Sequence, residues 1–286
     1  MTDLELGSRR GGPRQQLLFG LHIDNLRMDE AVARCREALV NRRPILLGVL
    51  NAAKVVNLTR DRTLREALLA CDLLLADGQS VVWASRLLGR PLPERIAGID
   101  LFEQLLMLAD RERHSVYLLG AKPEVLAKLE RRINERWPGL TIAGRHDGYF
   151  NDDEAARIAA DIRRSGADML FLGMGSPKKE IFLGRFGASL GVPVLHGVGG
   201  SFDVLAGITR RAPRAWQNLG LEWAYRLLQE PRRMWRRYLV TNCAFIALTL
   251  REALSPTPEL RSELSVSGFT DNGPNSKRSK QGRLIS

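Results

Sequence analysis

An α/β fold, with a mostly parallel Rossmann-like sheet and helices on both faces, is predicted by three features of the sequence. Short apolar runs alternate with helix-period segments between Pro44 and Leu205, the connections are short, and strand after strand ends in a glycine turn that opens a helix. Residues 18–23 read as a short strand, and 29–41 as a helix with Ala31, Val32, Cys35 and Leu39 along one side. Residues 45–50 form the next strand, followed by helical segments at 51–58 and 63–69. A strand at 72–76 ends at Asp77-Gly78 ahead of a helix at 80–88. Residues 99–111 are helical, 116–119 extended, and 123–137 helical up to the stop at Pro138-Gly139. A strand at 140–143 and a helix at 152–164 follow. The apolar run 168–172 is a buried strand, 173–177 its turn, and 178–190 a helix for which Pro177 suits the first turn. Residues 192–195 are the last strand, opening into Gly197-Val198-Gly199-Gly200-Ser201.

A chain of 286 residues, 44% hydrophobic, can bury a full core in one large domain. Residues 17–208 are assigned to the α/β core. Residues 1–16 are polar, lack the apolar centre of a signal peptide, and are expected to be a flexible leader. Residues 209–254 form a basic, aromatic, helical appendage, and 255–286, rich in Pro, Ser, Asn, Lys and Arg, a disordered tail. Cys35, Cys71 and Cys243 are far apart with no metal-ligand spacing, so neither a disulfide framework nor a zinc site is indicated and a reducing cytoplasm is the simplest compartment. The apolar run 239–250, interrupted by Thr241 and Asn242, is too short to cross a bilayer.

Several strand ends carry chemical groups. Asp77 follows its strand directly and can either accept a proton over the sheet edge or cap the helix after it. Asn51 offers a neutral amide to hydroxyls or an acetamido group, or caps its own helix. At Gly120, a strand, a glycine turn and a proline-started helix can receive a diphosphate on free N–H groups, or serve as simple turn chemistry. The turn around Gly199 has the same two readings: backbone approach to an anion, or tight packing. His22, His114, His146 and His196 share no ligand spacing; only His196, beside Gly197, stands near a strand-end turn of interest.

The net charge is +11, and its placement is informative. Arg210, Arg211, Arg214, Arg226, Arg232, Arg233, Arg236 and Arg237 face only Glu222 and Glu230, with Trp216, Trp223, Trp235, Tyr225 and Tyr238 interleaved. Such a segment suits nucleic acid, an anionic membrane surface or a substrate pyrophosphate, unless it is merely a solvated helix face. A nucleic-acid-binding protein would want these arginines along an exposed groove, whereas they follow a glycine-rich strand turn. A nicotinamide enzyme would want a full GxGxxG and a ribose-binding acid, and the Gly197 turn has neither.

The segments LNAAKVV (50–56), ADGQSVVWASRLLGRPLPERIAGIDL (76–101), VYLLGAKPEVLAKL (116–129), GRHDGYF (144–150), LFLGMGSPKKEIFL (170–183), GVGGSFDVLAGITRRAPRAW (197–216) and GLEWAYRLLQEPRRMWRRYL (220–239) together resemble the WecG/TagA/CpsF glycosyltransferases. The resemblance spans about residues 19–249. It implies transfer of a sugar from a nucleotide donor, here expected to be a UDP-sugar, to a polyprenyl-diphosphate-linked first sugar in exopolysaccharide biosynthesis. The place implied is the inner face of the bacterial cell membrane, with the protein cytoplasmic and peripherally bound to anionic lipid and with no nucleic-acid partner.

The resemblance also implies roles. Asp77 matches the general base that deprotonates the acceptor hydroxyl for an inverting attack. Asn51 matches an asparagine near the sugar, Arg95 an arginine at a phosphate, and the C-terminal basic segment an appendage that closes over the active site. Two positions depart from the family pattern: Val49 stands where threonine is usual and Lys179 where glutamine is usual. Both are associated with substrate contact, so a different sugar is expected, with Lys179 facing a substrate carboxylate. No DxD metal motif occurs, and no metal or other cofactor is expected. Arg210, Arg211 and Arg214 are then the candidates to neutralise the departing diphosphate, for which bidentate guanidinium contacts are suited.

Overall fold

The computed structural model describes residues 15–218, 220–229 and 231–261, excepting the side chains of Asn218, Arg226, Arg233, Met234 and Arg237. Most of the expected leader (1–14) and of the expected tail (262–286) lies outside the described residues.

The strands β3 (Ile45–Leu50), β4 (Leu73–Ala76), β5 (Ser115–Gly120), β6 (Thr141–His146), β7 (Met169–Gly173) and β8 (Val194–Gly197) form one parallel sheet in the order β4-β3-β8-β7-β5-β6. Their near-continuous apolar runs follow from burial of both faces. Along β5 the pleat sends Val116 and Leu118 to one core and Tyr117 and Leu119 to another; β7 divides Met169 and Phe171 from Leu170 and Leu172 in the same way. The first face is covered by α1 (Met28–Asn41), α5 (Gly98–Glu112), α6 (Pro123–Arg136) and α9 (Ser201–Leu205). The second is covered by α2 (Ala52–Asn57), α3 (Arg62–Leu69) and α4 (Gln79–Leu87) at one end, and by α7 (Asp152–Ser165) and α8 (Lys178–Phe186) at the other.

From β3 the chain moves outward to β4, then crosses the sheet to β5 and returns through β7 and β8 to lie beside β3. Such a reversal leaves a crevice beyond the carboxyl ends of the strands around it, here β3 and β8. The chain ends in α10 (Arg214–Asn218), α11 (Glu222–Gln229) and α12 (Pro231–Leu254). The last turns of α12 are fixed to the core. Phe245 stacks 5.6 Å from Phe19, and the buried Glu252 carboxylate accepts from the Thr257 N–H at 2.8 Å and from Phe19 N–H and Arg90 Nη1 at 3.4 Å each.

Two elements differ from the sequence-based expectation. The single strand expected at 18–23 is a hairpin, β1 (Gln15–Leu18) and β2 (Leu21–Asp24), turned at Phe19 (φ 54°) and Gly20 (φ 77°). Positive φ at both central residues is what a tight two-residue hairpin demands, and the Phe19 ring, buried against Phe245, holds a bulky residue where asparagine is commoner. Gln15 and Gln16, placed in the leader by the sequence, therefore belong to a strand. At the other site, α8 stops at Phe186 and continues only as a 3₁₀ turn over Gly187–Ser189.

Candidate active site

The carboxyl ends of β4, β3 and β8, with α4, α11 and α12, enclose a cavity of about 830 Å³. Its floor is set by Asp77, the first residue past β4. The helix after it begins at Gln79 with Gly78 as N-cap, so Asp77 does not cap it. The Asp77 carboxylate instead accepts the N–H of Gly98, the first residue of α5, through Oδ1 at 3.0 Å, and lies 3.5 Å from Asn51 Nδ2 through Oδ2. Asn51 combines both of its expected readings: Oδ1 caps α2 by accepting the Lys54 N–H at 3.1 Å, while its amide nitrogen is turned to Asp77. Gly98 is held from beneath by His196, whose Nε2 donates to its carbonyl at 3.1 Å. Burial pushes the His196 pKa down to about 4, so it stands under the site as a neutral imidazole.

Two guanidiniums line the same cavity. Arg95, from the loop before α5, lies 3.1 Å from Glu222 Oε2 and 3.7 Å from Asp100 Oδ2. Arg211, from the loop after α9, grips Asp100 with two bonds, Nη1 to Oδ1 at 2.5 Å and Nη2 to Oδ2 at 2.9 Å. Burial works against the Arg211 charge, but the bonds to Asp100 and the nearby Glu222 outweigh it and raise its pKa. Arg210 and Arg214 are exposed and are not among the lining residues.

The remaining wall is largely apolar and partly open to solvent. Trp83 and Leu87 of α4, Trp223 of α11, and Tyr238, Phe245, Ile246 and Leu250 of α12 line it. Leu87, Ile246 and Leu250 are each more than half exposed. Large apolar side chains left in contact with water next to a polar floor mark a surface that meets an apolar partner.

Of the sequence-predicted site residues, the structure gathers Asp77, Asn51, Val49, Arg95 and Arg211 around one cavity and leaves Gly120, Gly199, Lys179, Arg210 and Arg214 off its lining. Gly120 is a packing residue: a Cβ there would fall 2.5 Å from the Gly173 backbone, and the next N–H, of Ala121, is taken by the Gly173 carbonyl at 2.9 Å. The Val198 and Gly199 N–H groups both go to the Leu172 carbonyl, at 3.0 and 3.2 Å, so they are not free for an anion. Val49, on β3, and Lys179, just after β7, are separated by β8. Lys179 Nζ binds Ser176 Oγ and Glu180 Oε1, both at 2.7 Å, while its stem packs on Gly197. Burial alone would raise the Glu180 pKa; the bonds from Lys179 and Ser176 hold it below the usual range.

Glu222, which lines the cavity, and Lys54 and Asp100, which bind the lining residues Val49 and Arg211, were not legible as parts of the site. Lys54 Nζ donates to the Val49 carbonyl at 2.7 Å, and burial, with Lys179 next in effect, pushes its pKa down against the pull of Glu180 and Asp77. Its one sequence signal is a charge inside the apolar run AAKVV. Asp100 looks like an ordinary first-turn acid, and Glu222 like a stray acid among arginines.

A family model described as glycosyl transferase WecG/TagA/CpsF matches residues 16–259, most of the chain. The chain belongs to this family. The match covers both the α/β core and the α10–α12 segment and displaces the nucleic-acid and nicotinamide alternatives. Members are glycosyltransferases that build cell-surface polysaccharides, which implies a nucleotide-sugar donor and a lipid-linked acceptor. Among the described residues no helix is long and apolar enough to cross a membrane, and no three His, Cys, Asp or Glu side chains are grouped to hold a metal ion.

Proposed function

We propose that the protein is a metal-independent, inverting hexosyltransferase that moves a sugar from a UDP-sugar to a polyprenyl-diphosphate-linked sugar, working as a peripheral protein on the inner face of the membrane in exopolysaccharide assembly. The observation that carries this reading is one cavity holding the Asp77 carboxylate, two guanidiniums and an exposed apolar wall. Asp77 accepts the proton of the acceptor hydroxyl as that oxygen attacks the anomeric carbon from the side opposite the leaving group. The new glycosidic C–O bond forms, the bond to the diphosphate breaks, and the electron pair leaves with UDP; attack from the opposite side inverts the anomeric centre. Arg95 and Arg211 neutralise the diphosphate, the task a divalent cation performs in other transferases. Asn51, turned to Asp77, orients the base and contacts the sugar.

The acceptor carries a long apolar chain, and the wall from Trp83 to Leu250 offers it a surface. Arg232 and Arg236 of α12 are exposed, with the Arg236 guanidinium 5.3 Å from the ring centre of the exposed Trp235, a composition suited to anionic headgroups. Incubating the EDTA-treated protein with a panel of UDP-sugars and a short-chain lipid-diphosphate-linked sugar is expected to give one product of inverted configuration. Absence of transfer from every UDP-sugar overturns the donor class, and strict dependence on Mg²⁺ or Mn²⁺ overturns the role given to the arginines.

A further inference from the structure

The Arg95–Arg211 pair already holds an anion. Glu222 is the first residue of α11, and its carboxylate bridges the two guanidiniums: Oε2 lies 3.1 Å from Arg95 Nη1 and Oε1 lies 3.5 Å from Arg211 Nη2. A carboxylate with one oxygen on each of two guanidiniums is placed as two non-bridging oxygens of a single phosphoryl group would be. Asp100 is the other acid of the cluster, and the two acids are held differently. Asp100 stands in the first turn of α5, a helix of the α/β fold, and engages Arg211 by two short bonds. Glu222 comes from the C-terminal segment, lines the cavity, and reaches Arg211 only at 3.5 Å.

The formal charges of Arg95, Arg211, Asp100 and Glu222 cancel. A diphosphate entering a cluster of zero net charge meets two carboxylates as well as two guanidiniums, and like charges at contact distance disfavour one another. With Glu222 withdrawn, both guanidiniums turn a face to the cavity, Asp100 still fixes Arg211, and the cluster carries a net positive charge.

We propose that Glu222 is the resident counter-ion of the diphosphate site: it holds the Arg95–Arg211 pair until the nucleoside diphosphate displaces it, which frees the start of α11 from the core. The proposal rests on the reading of that pair as the diphosphate site. It makes Glu222 a determinant of donor affinity that lowers binding of donor and product alike, and it ties the position of α11 to whether the site is filled.

The test uses the full chain with UDP and inorganic pyrophosphate as probes. By titration calorimetry, Glu222→Gln is expected to bind UDP about tenfold more tightly than the parent, the scale of one charge-assisted contact no longer competed for. A Glu222→Gln protein that binds UDP equally or more weakly overturns the counter-ion role while leaving the diphosphate site standing. A parent protein and variant that both fail to bind UDP and pyrophosphate overturn the site itself, and this inference with it. Hydrogen exchange on the parent alone gives a check independent of the variant's folding: UDP is expected to speed exchange over residues 222–229, and slower or unchanged exchange there shows Glu222 retained and overturns the displacement.

Discussion

Along the carboxyl edge of the sheet, the β4-β3-β8 half opens on a cavity of about 830 Å³, while the β7-β5-β6 half is the more closed, with a cavity of about 280 Å³ beside Phe150, Pro177 and Phe182. Both halves are written alike: an apolar strand, a small or polar turn, a helix. Their glycines differ in what stands over them. At Gly200, in the open half, a Cβ would meet nothing within 4 Å, and at Gly98 nothing closer than 3.7 Å. At Gly120, in the closed half, it would fall 2.5 Å from the Gly173 backbone, and at Gly173 it would fall 2.2 Å from the Phe202 ring. At Gly120 and Gly173 glycine thus serves close packing, whereas at Gly98 and Gly200 it leaves room. The comparison teaches that a strand-end glycine turn marks where a site can lie in an α/β sheet, whereas the crossover that leaves β3 beside β8 decides where it does lie.

The largest expected effect breaks chemistry on the open side without breaking the fold. Asp77→Asn removes the proposed base but keeps an oxygen to accept the Gly98 N–H, so turnover is expected to fall roughly 10²–10⁴-fold with an unchanged melting curve. Kinetics with the preferred donor and circular dichroism on the same samples decide it. Near-normal turnover in a folded Asp77→Asn protein would reduce Asp77 to an anchor for α5.

On the closed side the expected effect is reversed. Gly120 has φ 133° and no space for a side chain, so Gly120→Ala combines backbone strain with overpacking and is expected to cost about 3–5 kcal/mol of stability. Denaturant midpoints measure the loss, and the fraction that remains folded is expected to keep its specific activity. A Gly120→Ala protein of normal stability with lost turnover would put the closed half into the active site after all.

How much of this was legible in the sequence follows the same division. Periodicity located the strands and helices of the sheet to within a few residues, because their apolar runs and glycine stops are local signals. The hairpin was missed because its turn rests on Phe19, a residue that no turn rule favours and that a contact with Phe245 on a distant helix stabilises. Resemblance to the family pointed to Asp77, Asn51 and Arg95, which the structure gathers around one cavity. Asp100 and Glu222 were hidden because an acid's meaning depends on which arginine it faces, and Arg95 and Arg211 approach them only through tertiary packing. Arg210 and Arg211 are adjacent in sequence, yet only Arg211 lines the cavity.

The smallest expected effect separates Val49 from Lys179, the two departures from the family pattern. Val49 lines the cavity, and its methyls approach Gly98 beside the base; Lys179 is turned into its contacts with Ser176 and Glu180. Val49→Thr therefore introduces a hydroxyl into the proposed substrate cavity, and one neutral hydrogen bond, at about 0.5–1.5 kcal/mol, is expected to shift relative kcat/KM among donor or acceptor sugars by roughly two- to tenfold. Lys179→Gln is expected to leave that ranking unchanged, because its charge is spent on a buried carboxylate rather than on substrate. A panel of uronic-acid, N-acetylhexosamine and plain hexose substrates, run on the parent and both single variants, distinguishes them. Should Lys179→Gln re-rank the panel while Val49→Thr does not, specificity would reach the cavity from the β7 side of the sheet, and the division between open and closed halves would have to be redrawn at β8.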